Sequence, residues 1–401
     1  MNRLSDSPNH NFKYFLRLMQ CVVNSEATPE PEENIDWHLI YNIAVKHSLA
    51  GMLYFALDKL DETRKPKGEF MLYLKQMYRE QIVTDLNLSV ETQRILELLS
   101  SAGIRCMPVK GIVTKADYPV AHLRTMSDVD ILCEASKRLE AEKIFLANGY
   151  NKESIGEKDT SYRKDEILHF ELHTNLLSAD SPAYSYFQKI WERANYSANS
   201  NVAYMTLEDT YIYMLEHLAN HVIAGGAGIR MYMDVYVFLK NHGESLNREY
   251  VDKVLSEITL KDFEIKTVKI CNNWFSGEED IDSQSDYAKF ILDSSTFGRA
   301  SVTFCADNLR NNKGNSAAQN GVKRIVRKVF PKLSWMRVRF KAVDKCPALY
   351  PVFVPVHLID RVFVRKDINA SNIGNYFTSA ESEEAKALMN VFISLGLEKR
   401  I

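Results

Sequence analysis

The spacing of apolar residues predicts helices on both sides of a short central segment. Asp36 precedes the run WHLIYNIAVKHSLAGMLYFALDKL, whose apolar residues recur at helical spacing and which Asp36 can cap. A second helical run covers about residues 70–100, and Gly103 ends it. Helical periodicity returns after Thr206 and continues to about residue 275. Helical units therefore flank the segment between Gly103 and Thr206.

The central segment has the pattern of strands. Strand, turn, strand, helix and strand follow one another in IRCMPV, the bend at Lys110 and Gly111, SDVDILC, SKRLEAEKIFLANG and LHFELHTNL. The sequence therefore predicts an α+β fold, with a small mixed-sheet core embedded in N- and C-terminal helical units. Because 401 residues exceed the usual size of one hydrophobic core, we expect several units. The predicted units are an N-terminal helical region at 1–102, the α/β core at 103–205, a helical domain at 206–305 and a basic C-terminal helical extension at 306–401.

Charge is balanced over the whole chain but not along it. The net charge of −2 gives a nucleic-acid partner no support, although it does not rule one out. Residues 321–345 hold one acid, Asp344, against nine cations: Lys323, Arg324, Arg327, Lys328, Lys332, Arg337, Arg339, Lys341 and Lys345. A solvated face is the favoured interpretation of this segment, and an anionic partner is the alternative.

Cysteine usage and the lack of long apolar runs predict a cytoplasmic protein. No run approaches the roughly 18 apolar residues that a membrane span needs, and the N-terminus lacks a signal-peptide pattern. The six cysteines are dispersed without a Cys-x-x-Cys pair, so we expect reduced thiols at Cys21, Cys106, Cys133, Cys271, Cys305 and Cys346.

Two carboxylates stand two residues apart in the predicted strand SDVDILC. Side chains alternate along a strand, so Asp128 and Asp130 share one face while Val129 and Ile131 face the core. Adjacent like charges repel, and a divalent cation neutralises such a pair. We therefore predict that both residues bind a metal ion.

A third carboxylate lies in the strand LHFELHTNL. Its alternation puts His169, Glu171 and His173 on one face and apolar residues on the other. With Asp128 and Asp130, Glu171 could hold two Mg²⁺ (or Mn²⁺) ions, the arrangement that supports transfer of a nucleoside monophosphate with release of pyrophosphate. Alternatively Glu171 is an ordinary solvated residue; His169 and His173 are accessory site candidates or core histidines.

Cationic and small residues stand close to these carboxylates along the chain. Lys110 and Gly111 follow the first strand, and Arg124 and Ser127 precede Asp128. A cation and a closely approaching backbone are the groups that bind phosphate, so we predict that these four residues contact a triphosphate, with ATP as a candidate. Pairing of Arg124 with a neighbouring acid is the alternative.

Several stretches resemble a family of largely uncharacterised bacterial nucleotidyltransferase-like proteins: PVKGIVTKADYP, LRTMSDVDIL, HFELH, and LEHLANH with IRMYMDVYVFL. The resemblance covers roughly residues 36–250. It implies the DNA polymerase β-like nucleotidyltransferase fold, in which Asp128, Asp130 and Glu171 match the metal-binding carboxylates. Arg124 followed by Ser-Asp-x-Asp is also similar to the pattern of small minimal nucleotidyltransferases.

One departure from that superfamily leaves two functions open. Where the superfamily usually has Gly-Ser or Gly-Gly after its first strand, this chain has Lys110 and Gly111. The first hypothesis is an enzyme that transfers a nucleotide to an unknown acceptor, which could be a small molecule, a protein or RNA. The alternative is a catalytically weakened nucleotide-binding or regulatory module of the same fold.

Two further pairs have helical i, i+4 spacing. His217 and His221 could be zinc ligands of a hydrolase, but Leu218 stands where that motif needs glutamate, so we favour structural histidines at a helical interface. Arg230 and Asp234 could form an ordinary pair on a helix surface. The preceding stretch AGGAGIR is interpreted as a helix-to-helix connection.

Overall fold

The α+β fold predicted from the sequence is confirmed. The computed structural model describes residues 7–156, 158–278, 280–295, 341–359 and 383–401, with isolated residues between 326 and 340. Helices precede and follow a five-stranded mixed sheet. About half of the basic segment at 321–345, including six of its nine cations, lies outside the described residues.

Four helices precede the sheet. They are α1 (Ser7–Asn24), α2 (Trp37–Lys46), α3 (Ala50–Leu57) and α4 (Phe70–Ser101). Asp36 caps α2 as predicted, because its side chain accepts a hydrogen bond from the Leu39 amide at 3.1 Å. The run predicted as one helix is divided between α2 and α3, where Ser48 adopts a φ of 58°. A left-handed residue cannot continue a right-handed helix.

The sheet contains the three predicted strands and an additional hairpin. Its strands are β1 (Cys106–Val109), β2 (Val129–Cys133), β3 (Asn151–Ile155), β4 (Asp159–Arg163) and β5 (His169–His173). Their order is β1-β2-β5-β4-β3, and only β2 and β5 run parallel to each other. The short helix α5 (Gly111–Thr114) follows β1, and α6 (Arg138–Ala147) connects β2 to β3. The parallel register places Asp130 beside Glu171.

Helices predominate again after the sheet. Two short helices, α7 (Tyr184–Phe187) and α8 (Ile190–Arg193), lead into a ribbon of β6 (Asn195–Tyr196) and β7 (Ala203–Tyr204). The later helices are α9 (Leu207–Ala224), α10 (Ile229–His242), α11 (Arg248–Glu257), α12 (Lys261–Phe275), α13 (Asp286–Asp293), α14 (Lys341–Lys345), α15 (Tyr350–Ile359) and α16 (Glu383–Ser394). In the described part of the chain, no helix is both long and apolar enough to cross a membrane.

Two large hydrophobic clusters hold these elements together. One joins the N-terminal helices to those after the sheet, with Phe15 of α1 and Trp274 of α12 fully buried within it. The other packs the sheet against α4 and α6 through residues such as Ile95, Phe145 and Phe170. Because α4 contributes to both clusters, it links the sheet to the helices. The division into four units stays a prediction.

Candidate active site

A cavity of about 290 Å³ lies between the sheet and the helices α9 and α10. Its volume is close to the lower end of the range for small-molecule sites. Seven of the residues predicted from the sequence line it: Lys110, Gly111, Arg124, Ser127, Asp128, Asp130 and Glu171. The accessory candidates His169 and His173 do not belong to the described cavity wall. The cavity therefore collects the predicted carboxylates and cations in one place.

Asp130 is the most constrained of these carboxylates. It is only 5 % exposed, and its Oδ1 accepts a hydrogen bond from Lys110 Nζ at 2.6 Å. His173 Nε2 lies 2.7 Å from the same oxygen and must donate to it, since a carboxylate only accepts. Burial opposes ionisation, but Lys110 and His173 together hold the pKa of Asp130 well below its usual range. The carboxylate is thus kept negatively charged.

Glu171 lies beside this group because β2 and β5 pair in parallel. The carboxylates of Asp130 and Glu171 and the imidazole of His173 each offer one ligand atom, and these atoms lie within 4.8 Å of one another. His173 Nδ1 is buried and has no hydrogen-bond partner among the described residues; it lies 4.0 Å from Asp159 Oδ2. Two carboxylates at this separation can bind a divalent cation such as Mn²⁺ or Mg²⁺, and His173 could join them only if Nε2 gave up the proton that it donates to Asp130.

Asp128 lies in the same cavity but outside that close group. It directly precedes β2, and its Oδ1 accepts a hydrogen bond from Ser127 Oγ at 3.2 Å. Burial and the negative charges of Asp130 and Glu171 raise the pKa of Asp128. A cation between the three carboxylates would relieve this repulsion, so the residues fit a metal ion chemically. Ligation by all three remains a prediction.

The turn after β1 is conformationally strained. Lys110 has a φ of 59°, which is unusual for a residue with a side chain and is found where the surroundings enforce it. Here the ion pair with the buried Asp130 fixes Lys110. A Cβ added to Gly111 would lie 2.1 Å from Arg124 Nη1, so this position has no room for a side chain. The glycine predicted to approach phosphate therefore also makes space for Arg124.

Arg124 is paired with an acid in the helical unit. Its Nη2 and Nε donate to the two oxygens of Asp234, at 2.8 and 3.2 Å. Tyr118 donates its hydroxyl proton to the same carboxylate at 2.7 Å. The surface pair expected between Arg230 and Asp234 is wrong, because Asp234 is buried against Arg124 and Arg230 donates to Thr125 instead.

A match to a known protein family covers the region that forms this cavity. The model of the family described as uncharacterised nucleotidyltransferase matches residues 33–276, more than half of the chain. The chain belongs to this uncharacterised nucleotidyltransferase family. Its matched region contains β1 to β5, α9 and α10, and therefore every residue of the cavity described above. No curated protein and no solved structure matches the chain.

The structure adds residues to the candidate site that sequence reasoning missed. Lys158, in the turn between β3 and β4, has no ion pair or hydrogen bond for its ammonium group among the described residues. Burial and the nearby Lys110 lower its pKa, and Asp130 and Glu171 are close enough to oppose that effect. Lys158 itself is not part of the cavity wall, which does include Tyr204, Met205, Tyr213, Met214 and Met231, residues that carry no recognisable sequence signal.

His217 and His221 line the same cavity, a more specific position than the helical interface favoured from the sequence. Their rings meet edge to face with centroids 4.6 Å apart. Burial and the Lys110 charge lower the pKa of both, that of His221 to about 4, so both are neutral at pH 7. Neither belongs to the close ligand group found among the described residues. Their spacing therefore does not by itself make a zinc site.

Proposed function

We propose that this protein is a metal-dependent nucleotidyltransferase of the DNA polymerase β-like superfamily. It would move a nucleoside monophosphate from a nucleoside triphosphate, such as ATP, to an acceptor and release pyrophosphate. The observation that carries this proposal is the parallel pairing of β2 with β5. That pairing brings Asp130 beside Glu171 in a cavity that also holds Lys110.

The three carboxylates of the cavity are the proposed metal ligands. Asp128, Asp130 and Glu171 would hold Mg²⁺ or Mn²⁺. When bound, such an ion neutralises phosphate charge and lowers the pKa of an attacking hydroxyl. His173, hydrogen-bonded to Asp130, would orient that carboxylate rather than contact substrate.

Two lysines are the proposed phosphate ligands. Lys110 now pairs with Asp130, and it would turn to phosphate oxygens once a cation shares that carboxylate. Lys158 has an ammonium group without a partner among the described residues and lies close enough to Asp130 and Glu171 to interact with their charges. The acceptor oxygen would bond to the α-phosphorus as the bond to the bridging oxygen breaks, and pyrophosphate would leave beside these lysines.

A binding module without turnover is the second candidate. The observation that favours it is the 2.6 Å ion pair of Lys110 with Asp130, which occupies a proposed metal ligand. The absence of Gly-Ser after β1 points the same way. Such a protein would bind the triphosphate and still release no pyrophosphate.

Pyrophosphate release from a panel of nucleotides, with Mg²⁺ or Mn²⁺ and candidate acceptors, tests the proposal. Asp128→Asn and Glu171→Gln should abolish release and metal-dependent triphosphate binding while the protein stays folded, because both side chains are partly exposed. The matched control is Glu153→Gln, a partly exposed carboxylate of the same sheet outside the cavity. It should keep both properties.

Asp130→Asn is a less clean test than Asp128→Asn. A carboxylate near the surface could be neutralised without harm, but Asp130 is buried and pairs with Lys110. Its loss would leave that cation unpaired and destabilise the fold. Full pyrophosphate release in both Asp128→Asn and Glu171→Gln would refute the assignment. Binding without release in the wild type would select the binding module.

A further inference from the structure

A second guanidinium group lies in the cavity wall and forms no ion pair with an acid among the described residues. Arg230 stands in the first turn of α10, and its side chain lines the cavity. Its Nη1 donates to both the carbonyl oxygen and the hydroxyl oxygen of Thr125, each at 2.8 Å. Its Nε is buried without a hydrogen-bond partner in the described part of the chain. The guanidinium therefore has unused donors.

The carboxylate of Asp234 is held by other donors. Arg124 donates to both of its oxygens, Tyr118 adds a third hydrogen bond, and no ion pair joins Asp234 to Arg230 among the described residues. Burial and the adjacent Arg124 charge lower the pKa of Arg230 to about 10, which leaves it protonated at pH 7. A largely desolvated charge without an ion-pair partner is costly, and such groups persist where a ligand supplies the opposite charge.

The position of Arg230 separates it from the proposed phosphate ligands. Arg230 and Ser127 also line an adjoining pocket of about 300 Å³, whose described wall does not include Lys110, Asp130 or Glu171. Arg230 thus lies at the Ser127 end of the cavity.

The helix that carries Arg230 adds to its positive potential. The helix α10 has 14 residues, and its N-cap, Gly228, makes no side-chain capping bond. The amino end of a helix carries a partial positive charge, which favours an anion near its first turn. The unpaired guanidinium and the helix end therefore attract the same kind of ligand.

We propose that Arg230 binds an oxyanion of the acceptor, a carboxylate or a phosphate group. This inference rests on the proposed function, because in-line transfer puts the acceptor on the side of the α-phosphorus opposite the leaving pyrophosphate. With Lys110 and Lys158 beside the pyrophosphate, the acceptor would lie towards Arg230. The acceptor class is thereby narrowed to molecules with an anionic group close to their reacting hydroxyl.

Binding of two simple anions tests the inference. The full chain is saturated with a non-hydrolysable nucleoside triphosphate and Mg²⁺, so that its phosphate ligands are occupied, and is titrated calorimetrically with inorganic phosphate and separately with acetate. We expect one of these anions to bind the wild type and to bind Arg230→Gln about tenfold to a hundredfold more weakly, the effect of losing a charge-assisted contact. The anion that binds more tightly shows whether the charged group of the acceptor is a phosphate or a carboxylate. Arg163→Gln, a surface arginine of β4, is the matched control and should bind as the wild type does.

Thermal unfolding of the same variants separates binding from a structural role. Arg230→Gln removes an unpaired buried charge and can keep a donor for Thr125, so its melting temperature should equal or exceed that of the wild type. A large fall in melting temperature would instead show that Arg230 is a structural residue and would overturn the inference.

The remaining outcomes distinguish this inference from the proposed function. Equal anion binding by wild type and Arg230→Gln, or none by either, overturns the acceptor role and leaves nucleotidyl transfer standing. Weaker triphosphate binding by Arg230→Gln would show that Arg230 contacts the nucleotide. That result would also overturn the acceptor role. No triphosphate binding by the wild type defeats the proposed function, and the acceptor role with it.

Discussion

Neutralising Asp234 should destabilise the protein strongly, although this residue is predicted neither to bind metal nor to contact phosphate. In Asp234→Asn, Arg124 loses the carboxylate that accepts its Nη2 and Nε hydrogen bonds, and Tyr118 loses a charged acceptor. The side chains of Arg124 and Asp234 are only 11 % and 7 % exposed. An uncompensated guanidinium would then remain buried close to Arg230, a second cation.

The expected loss follows from this burial. Removing one partner of a buried ion pair costs about 3–5 kcal/mol of unfolding free energy, because the other charge stays desolvated. Asparagine keeps one acceptor oxygen, which places Asp234→Asn towards the lower end of that range. The surface pair Arg163–Glu153, with side chains 36 % and 41 % exposed, is the comparison. Neutralising Glu153 should cost about 1 kcal/mol or less.

Urea unfolding, followed by tryptophan fluorescence, measures both changes as shifts of the unfolding midpoint. The double variant Arg124→Gln with Asp234→Asn completes a thermodynamic cycle. It should be more stable than the sum of the single effects implies, because the second substitution removes the stranded charge. If Asp234→Asn costs no more than Glu153→Gln, or if the two substitutions are additive, the Arg124–Asp234 contact does not stabilise the fold.

Three other predictions test single positions. Lys158→Gln should weaken triphosphate binding about tenfold to a hundredfold in calorimetry and leave the melting temperature unchanged, because its ammonium has no partner to lose among the described residues. Gly111→Ala should lower stability by roughly 1–3 kcal/mol in urea unfolding, since the added Cβ would collide with Arg124. Burial and Lys46 lower the pKa of His47 from 6.5 to about 3. At His47 the unfolded chain therefore takes up a proton between these values and the folded chain does not, so this residue should contribute a fall in stability of about 1.4 kcal/mol per unit of decreasing pH within that window. His47→Gln should reduce this slope, and an unchanged slope would contradict the prediction.

The strands that carry the carboxylates could be predicted because each has a clear alternation. In LHFELHTNL the apolar positions include Phe170 and Leu172, which are buried in the structure, and Glu171 between them faces the cavity. What alternation cannot predict is which strand lies beside which. The sequence places about 40 residues between Asp130 and Glu171, and only the strand order brings them into register.

The residues missed by sequence reasoning depend on such long-range contacts. Lys158 is one lysine in a turn, and nothing in its neighbours along the chain shows that the turn lies near Asp130. Helical spacing was misleading for Arg230 and Asp234, since i, i+4 neighbours of opposite charge usually pair. Here Arg124, more than 100 positions earlier, competes for the same acid and takes it.

The ion pair between Lys110 and Asp130 offers a physical reason for the departure from the Gly-Ser pattern. Asp128, Asp130 and Glu171 share one cavity, and their mutual repulsion would oppose folding before any cation is bound. A glycine-serine turn supplies no charge, whereas Lys110 neutralises the most buried of the three carboxylates and adopts a strained φ of 59° to do so.

We infer that Lys110 stabilises the folded, metal-free site and would meet phosphate only after a cation had taken its place at Asp130. On this view a metal ion and the Lys110 ammonium compete for the Asp130 carboxylate, and the presence of Lys110 does not remove catalysis. Raising the Mg²⁺ or Mn²⁺ concentration should then increase triphosphate affinity, because Lys110 is released in the same step. A triphosphate affinity independent of metal concentration would show that Lys110 never leaves Asp130.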